Sequence, residues 1–182
     1  MTRSRLVLVT VTLALAMTGA VEAATDLFGD PLPESAVQRL GSLRLRYGGI
    51  GDLAYLPDGR AVIASGTSID IWDMSVGEKL ESHQVAPRGL TGIDISADGS
   101  TMLAVDSAGN VYEWDFEAAA VTREWNSGQR SLVSVYYSTD ESRALTCGGS
   151  PPTIKEWDLE TGAELVSISS DLHTARQAIY GP

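Results

Sequence analysis

The sequence predicts an all-β protein built from a repeated unit, and three observations carry that prediction. A tryptophan–aspartate pair closes a short strand-like run three times: Ile69-Asp-Ile-Trp-Asp73, Val111-Tyr-Glu-Trp-Asp115 and Ile154-Lys-Glu-Trp-Asp158. The tryptophans Trp72, Trp114 and Trp157 are spaced by 42 and 43 residues, a period that belongs to a supersecondary repeat and to no single helix or strand. Upstream of each pair lies a turn, in Pro57-Asp-Gly59, Ala97-Asp-Gly99 and Thr139-Asp-Glu141, spaced by 40 and 42. No long helical period appears after residue 40.

Taken from the amino terminus, the first element is an address. Met1-Thr-Arg-Ser-Arg5 is basic, Leu6 to Met17 is an apolar run broken only by two threonines, and small residues follow in Gly19-Ala-Val-Glu-Ala-Ala24. A positive start, a short apolar centre and a small-residue exit form a secretory signal peptide, expected to be cleaved after Ala23, with Ala20 and Ala24 as alternatives. The alternative is an uncleaved anchor, but the apolar run is well short of the roughly 20 residues that a bilayer span needs, and no membrane span is expected after signal cleavage. The mature chain is expected to be exported, in the periplasm, the cell envelope or the medium. Residues 24–42 read as a lead-in: Phe28-Gly-Asp-Pro-Leu-Pro33 is turn-rich, and Glu34 to Leu40 suits a short helical turn.

The repeats fill residues 43–182. Each opens with an alternating apolar run, Ile50 to Leu56, Leu90 to Ile95 and Leu132 to Tyr137. The turn follows, then a second run in Ala61 to Ala64, Thr101 to Val105 and Arg143 to Thr146. The Trp-Asp strand is third, and a fourth run follows in Gly77 to His83, Val121 to Trp125 and Gly162 to Ile168. Runs of this length and alternation, bounded by Gly, Asp, Pro and Ser, are strands. The repeats are placed at about 43–83, 84–125 and 126–168, with the start of another at 169–182.

Composition removes several function classes. The formal charge of −11 and only two lysines, Lys79 and Lys155, argue against nucleic-acid binding, which needs a basic footprint to displace counterions. A single cysteine, Cys147, makes no internal disulfide, and two distant histidines, His83 and His173, add little to any metal reading. Neither a Gly-x-Ser-x-Gly elbow nor a phosphate-cradling glycine loop nor a His-Glu-x-x-His pair is present in the sequence. Catalytic, cofactor and metal residues are therefore expected to be none.

A period near 42 with four strands and a Trp-Asp pair resembles the WD-repeat β-propeller family. The lead-in Asp30-Pro-Leu-Pro33, followed by Arg39-Leu-Gly-Ser-Leu-Arg-Leu-Arg46, also looks like the start of bacterial propellers of this family. The resemblance implies four-stranded antiparallel blades, about three and a half of them, with Leu43 to Tyr47 as an outer strand that closes the ring. It implies that Trp72, Trp114 and Trp157, each paired with Asp73, Asp115 or Asp158, are structural residues packed between blades. In the family's strong repeats an aspartate six residues before the tryptophan and a Gly-His pair before the first strand join a buried hydrogen-bond network. Here the aspartate positions hold Gly66, Ala108 and Pro151, and Tyr47 fills the first histidine position. Fewer buried polar staples are expected in consequence.

The remaining residues of interest are few. Asp94, Asp98 and Asp106 form a loose acidic group around the second hairpin, expected to be solvated because calcium-loop spacing is missing. His83 is expected in a loop, Cys147 as a half-buried packing residue, and Trp125 on the outer strand, covering its own blade or serving as a hot spot. Arg88, before Leu90, and Arg130, before Leu132, are the candidate partner-binding residues, since function sits on loops carried by a rigid frame. The function expected is an exported, non-enzymatic interaction scaffold that docks a protein partner through rim loops. The alternative is the amino-terminal part of a larger exported enzyme whose propeller regulates it or docks substrate. An open stack of blades leaves strand edges exposed, so self-association or further blades are expected to complete it.

Overall fold

The computed structural model describes residues 25–26, 29–34, 36, 47–169 and 177–180. The chain divides into two units, residues 1–42 and 43–182. In the first, Thr25 bridges Pro31, and the Asp30 N–H donates to the Asp26 carboxylate at 3.0 Å, so the proline-rich segment turns back on itself. The signal peptide, most of the Glu34–Leu40 turn and Leu43 to Arg46 of the closing strand lie outside the described residues.

Among its described residues the second unit holds twelve strands in three antiparallel meanders. Blade 1 is β1 (Asp52–Tyr55), β2 (Ala61–Ser65), β3 (Ser68–Asp73) and β4 (Glu78–Gln84). Blade 2 is β5 (Leu90–Ile95), β6 (Thr101–Asp106), β7 (Asn110–Asp115) and β8 (Ala120–Asn126). Blade 3 is β9 (Leu132–Tyr137), β10 (Arg143–Gly148), β11 (Thr153–Asp158) and β12 (Glu164–Ser169). In every blade each strand pairs with its neighbour in sequence, and among the described residues there is no helix. The blades stack through their first strands, β1 on β5 and β5 on β9, and the stack does not close on itself among the described residues.

Two local devices set the repeat. In the first hairpins an aspartate carboxylate caps the turn: Asp58 accepts from the Arg60 N–H at 3.0 Å, Asp98 from Ser100 at 2.8 Å and Asp140 from Ser142 at 3.2 Å. The aspartate of each Trp-Asp pair does the same for the next turn. Asp73 accepts from the Ser75 N–H at 2.8 Å, Asp115 from Ala118 at 2.7 Å and Asp158 from Thr161 at 2.6 Å. The pair thus divides its labour, with the ring buried and the carboxylate ending the strand. In the third hairpin Glu141 takes a positive φ of 57°, where the other two place Gly59 and Gly99. Its carboxylate accepts the Ala97 N–H of blade 2, a contact that glycine could not make.

Alternation then decides the core. On β6, Met102 and Ala104 face blade 1 with Ile69, Ile71 and Trp114, whereas Leu103 and Val105 face blade 3 with Leu132, Val135 and Trp157. A strand covered on both faces reads as an unbroken apolar run, as Met102 to Val105 does. Trp114 and Trp157 pack towards the preceding blade, and Trp72 packs against Tyr47 with Ala61, Ile63 and Met74. His83 departs from expectation: β4 runs on to Gln84, and the connection to β5 tucks in Val85 and Ala86, whose N–H groups donate to the Thr67 carbonyl at 3.0 and 3.1 Å. Cys147 is fully buried in β10, and burial raises its thiol pKa.

Candidate functional site

Antiparallel meanders send alternate connections to opposite rims. One rim gathers the β2–β3, β6–β7 and β10–β11 turns with the β4–β5 and β8–β9 loops between blades. Backbone hydrogen bonds run along it from blade to blade: Leu90 N–H to the Gly66 carbonyl at 2.7 Å, Ser107 to Gly89 at 3.3 Å, Ser131 to Ser107 at 3.1 Å and Gly149 to Ser131 at 3.4 Å. Gly109, at φ 98°, sits so close to the next loop that a Cβ would stand 1.9 Å from the Gln129 carbonyl oxygen. Each of these loops is thus tied to the neighbouring blade through its backbone.

A cleft of about 260 Å³ opens in this rim, between Gly128–Arg130 of the β8–β9 loop and Gly149–Pro151 of the β10–β11 turn, with Thr153 and Lys155 at its side. Lys155 is already engaged, donating to the Ser127 carbonyl and to Glu164, both at 2.8 Å. The Arg130 side chain is exposed and has no hydrogen-bond or ion-pair partner among the described residues. Arg88 is in the same state in the β4–β5 loop. The two arginines therefore occupy corresponding loops of adjacent blades, each with its donors free.

Beneath the rim, each blade holds its tryptophan differently. In blade 1 the Trp72 indole N–H donates to the Tyr47 hydroxyl, which donates to Asp70 at 2.8 Å, and Ser82 donates to the same carboxylate at 2.6 Å. Burial, then the Asp70 carboxylate, raises the pKa of Tyr47. In blade 3 the Trp157 N–H donates to Thr146 at 2.9 Å, and Thr146 donates to the Gln129 side-chain carbonyl at 2.6 Å. In blade 2 the Trp114 N–H is buried without a partner. The polar cluster there is Asp106, wholly buried, which accepts from Tyr112 at 2.9 Å, from the Asn110 side chain and N–H at 3.0 Å and from the Ala108 N–H at 2.8 Å. The empty aspartate positions at Gly66, Ala108 and Pro151 thus do not leave the blades unstapled; the staples sit at other positions.

The acidic group expected around the second hairpin is not a group. Asp98 caps its turn, Asp106 is the buried acceptor just described, and Asp94 accepts the Tyr137 N–H of blade 3 at 2.7 Å. Trp125 is half-buried on β8 and meets the Trp157 ring edge-on at 6.3 Å, so it covers the next blade's tryptophan, not its own blade. His83 does likewise from β4, its ring 5.2 Å from Trp114. Sequence reasoning missed Gln129 and Thr146; the signal was the Gly128-Gln129 pair ahead of the third repeat.

No family model matches the sequence. Protein groucho of Drosophila melanogaster is 31% identical over 121 residues, 64% of this chain. Transducin-like enhancer protein 2 of Mus musculus is 29% identical over 142 residues, 75% of this chain. These matches, with the stacked four-stranded blades, support the resemblance to the WD-repeat β-propeller family. The chain spans only 16% and 18% of the length of these two WD-repeat relatives. Among solved structures, a chain of Kuenenia stuttgartiensis hydrazine synthase superposes with a TM-score of 0.59 at 19% identity, over 65% of this chain and 36% of that one. That likeness is one of fold alone.

Proposed function

We propose that this chain is the binding module of an exported, non-enzymatic WD-repeat scaffold, and that a protein partner docks on the rim carrying Arg88 and Arg130. The observation that carries the reading is the cleft beside Arg130, set between two loops that inter-blade backbone bonds hold in place. The WD-repeat relatives support a protein-interaction module, and the three-part amino terminus supports export. The test is capture from the cell envelope of the source organism. A defined partner should be recovered with the parent chain and lost with the Arg88→Ala/Arg130→Ala double variant, while the melting temperature stays within a degree or so, as for surface substitutions. Equal recovery with both would end the reading of this rim. Mass spectrometry of the exported protein should show a start near Ala24; an intact Met1 to Ala23 segment would end the secretory part.

The same module is proposed to need a further blade or a second copy. In register, His83 of β4, Trp125 of β8 and Ile168 of β12 are corresponding residues, opposite Ile69, Val111 and Ile154. The first two cover the next blade's tryptophan, whereas Ile168 is 58% exposed. Sedimentation should find self-association at micromolar concentration, and a sharply melting monomer would remove this part.

A further inference from the structure

We propose that the rim bearing Arg88 and Arg130 recognises an acidic peptide segment, its carboxylates meeting the two free guanidinium groups. This rests on the reading of that rim as the docking face and adds the chemistry of what docks. The argument is the distribution of charge between the two rims.

On the docking rim the connections are residues 66–67, 85–89, 107–109, 127–131 and 149–152, and the charged residues in them are Arg88 and Arg130. On the opposite rim the connections are 56–60, 74–77, 96–100, 116–119, 138–142 and 159–163. These carry Asp58, Asp98, Glu117, Asp140, Glu141 and Glu160 against the single cation Arg60, which is itself paired with Asp58 at 2.7 Å. The carboxylate that does lie under the docking rim, Asp106, is wholly buried and saturated by four donors. The exposed acids Glu81, Glu124 and Glu164 stand on the outer strands β4, β8 and β12, outside the connections, and Glu164 is paired with the cleft residue Lys155 at 2.8 Å. A chain of charge −11 repels an acidic ligand over most of its surface. The docking rim is where that repulsion is replaced by attraction.

Geometry agrees with charge. Arginine offers a planar fork of donors matched to a carboxylate, and both forks are uncommitted. The loops that carry them are tied to neighbouring blades by backbone hydrogen bonds, so little ordering entropy is lost on binding. The cleft beside Arg130 is lined by Gln129, Ser150, Pro151, Thr153 and Lys155, a small, partly polar recess with room for a carboxylate side chain. Two such forks on adjacent blades favour an extended segment with more than one acid over a single small anion.

Fluorescence anisotropy with the full chain and a labelled oligoglutamate peptide tests this. Binding should saturate and weaken steeply between about 0.05 and 0.5 M salt, as screening shortens the reach of the two charges. Arg88→Glu/Arg130→Glu should weaken it by about tenfold or more, while Asp98→Ser/Asp140→Ser on the opposite rim should leave it unweakened. Circular dichroism melts verify that both variants are folded. Loss on both rims alike, or no binding by the parent, overturns the acidic assignment. If a captured partner still depends on Arg88 and Arg130 although oligoglutamate does not bind, the rim stands as an interface and its acidic chemistry falls. Should neither depend on the arginines, both readings fall.

Discussion

Blades 2 and 3 share the Trp-Asp signature and nearly the same strand lengths, yet they hold their tryptophans by different means. In blade 3, Trp157 lies opposite Ala144, and Thr146, two residues further along β10, is placed to accept the indole N–H. In blade 2, Trp114 lies opposite Met102, and the corresponding position two residues on is Ala104, which has nothing to accept with. The N–H of Trp114 is left unpaired, and the ring is held by burial, by Met102 and by His83. Blade 2 places its polar cluster one step further along the same face, at Asp106. One face of one strand therefore carries the polar staple in both blades, and a two-residue shift converts an indole anchor into a carboxylate hub.

The comparison is broken most directly by removing the rings. Trp114→Ala and Trp157→Ala should each cost roughly 3–5 kcal/mol, because both rings are almost fully buried and leave a large cavity. Urea unfolding monitored by circular dichroism gives the two costs. A Trp114→Ala protein as stable as its parent would show that blade 2 is not packed around that ring.

Next in size is the hub. Asp106→Ala removes four charge-assisted acceptor contacts and leaves the Tyr112 hydroxyl buried without a partner and the half-buried Asn110 N–H groups without their acceptor. The cost should be about 2–4 kcal/mol, and Asp106→Asn, which keeps an acceptor, should lose less. If Asp106→Ala were neutral by the same urea titration, the hub would contribute nothing and blade 2 would rest on packing alone.

Both anchors show what a single sequence makes legible. The twelve strands were readable because alternation and turn residues recur at a fixed period, and Asp58, Asp98 and Asp140 announce hairpins whose carboxylates cap them. Arg88 and Arg130 were readable as loop residues, since they fall just before the first strands of their blades. What stayed hidden was partnership. Thr146 lies eleven residues before Trp157 and Gln129 lies 28 before it, and their meeting depends on strand register and loop length together. Asp106 looked like a turn acid because burial on both faces of β6 is a property of the stack, invisible in one repeat. The charge contrast between rims appeared only once each connection had been assigned to an end.

A smaller effect sharpens the contrast further. Phenylalanine keeps most of the ring and deletes the indole N–H. Trp157→Phe should leave Thr146 without its donor, whereas Trp114→Phe removes a buried N–H that had no partner. Trp157→Phe should therefore be the costlier by roughly 1–2 kcal/mol. Equal costs would mean that the Thr146 bond contributes nothing net.

The smallest difference expected is in acid. Burial alone would raise the pKa of Asp106, but the hydrogen bonds from Asn110, Tyr112 and Ala108 outweigh it and hold the carboxyl below its ordinary range. A carboxyl depressed in the folded state contributes stability that is present above its unfolded pKa, near 4, and is lost as pH falls through the folded value. Blade 3 has no titrating group in its staple, since Thr146, Gln129 and Trp157 are neutral throughout. Asp106→Asn should accordingly flatten the loss of stability below about pH 4, while Thr146→Val lowers stability by a similar amount at every pH. The turn aspartates Asp58, Asp73, Asp98, Asp140 and Asp158 are also depressed, Asp140 to about 2 by the Ser138 and Ser142 hydroxyls, but they are present in both variants and cancel in the comparison. Unfolding free energies measured from pH 2 to 7 for the two variants and their parent decide the point. Parallel curves for parent and Asp106→Asn would show that the hub titrates alike in the folded and unfolded chain, and that blade 2 differs from blade 3 in geometry only.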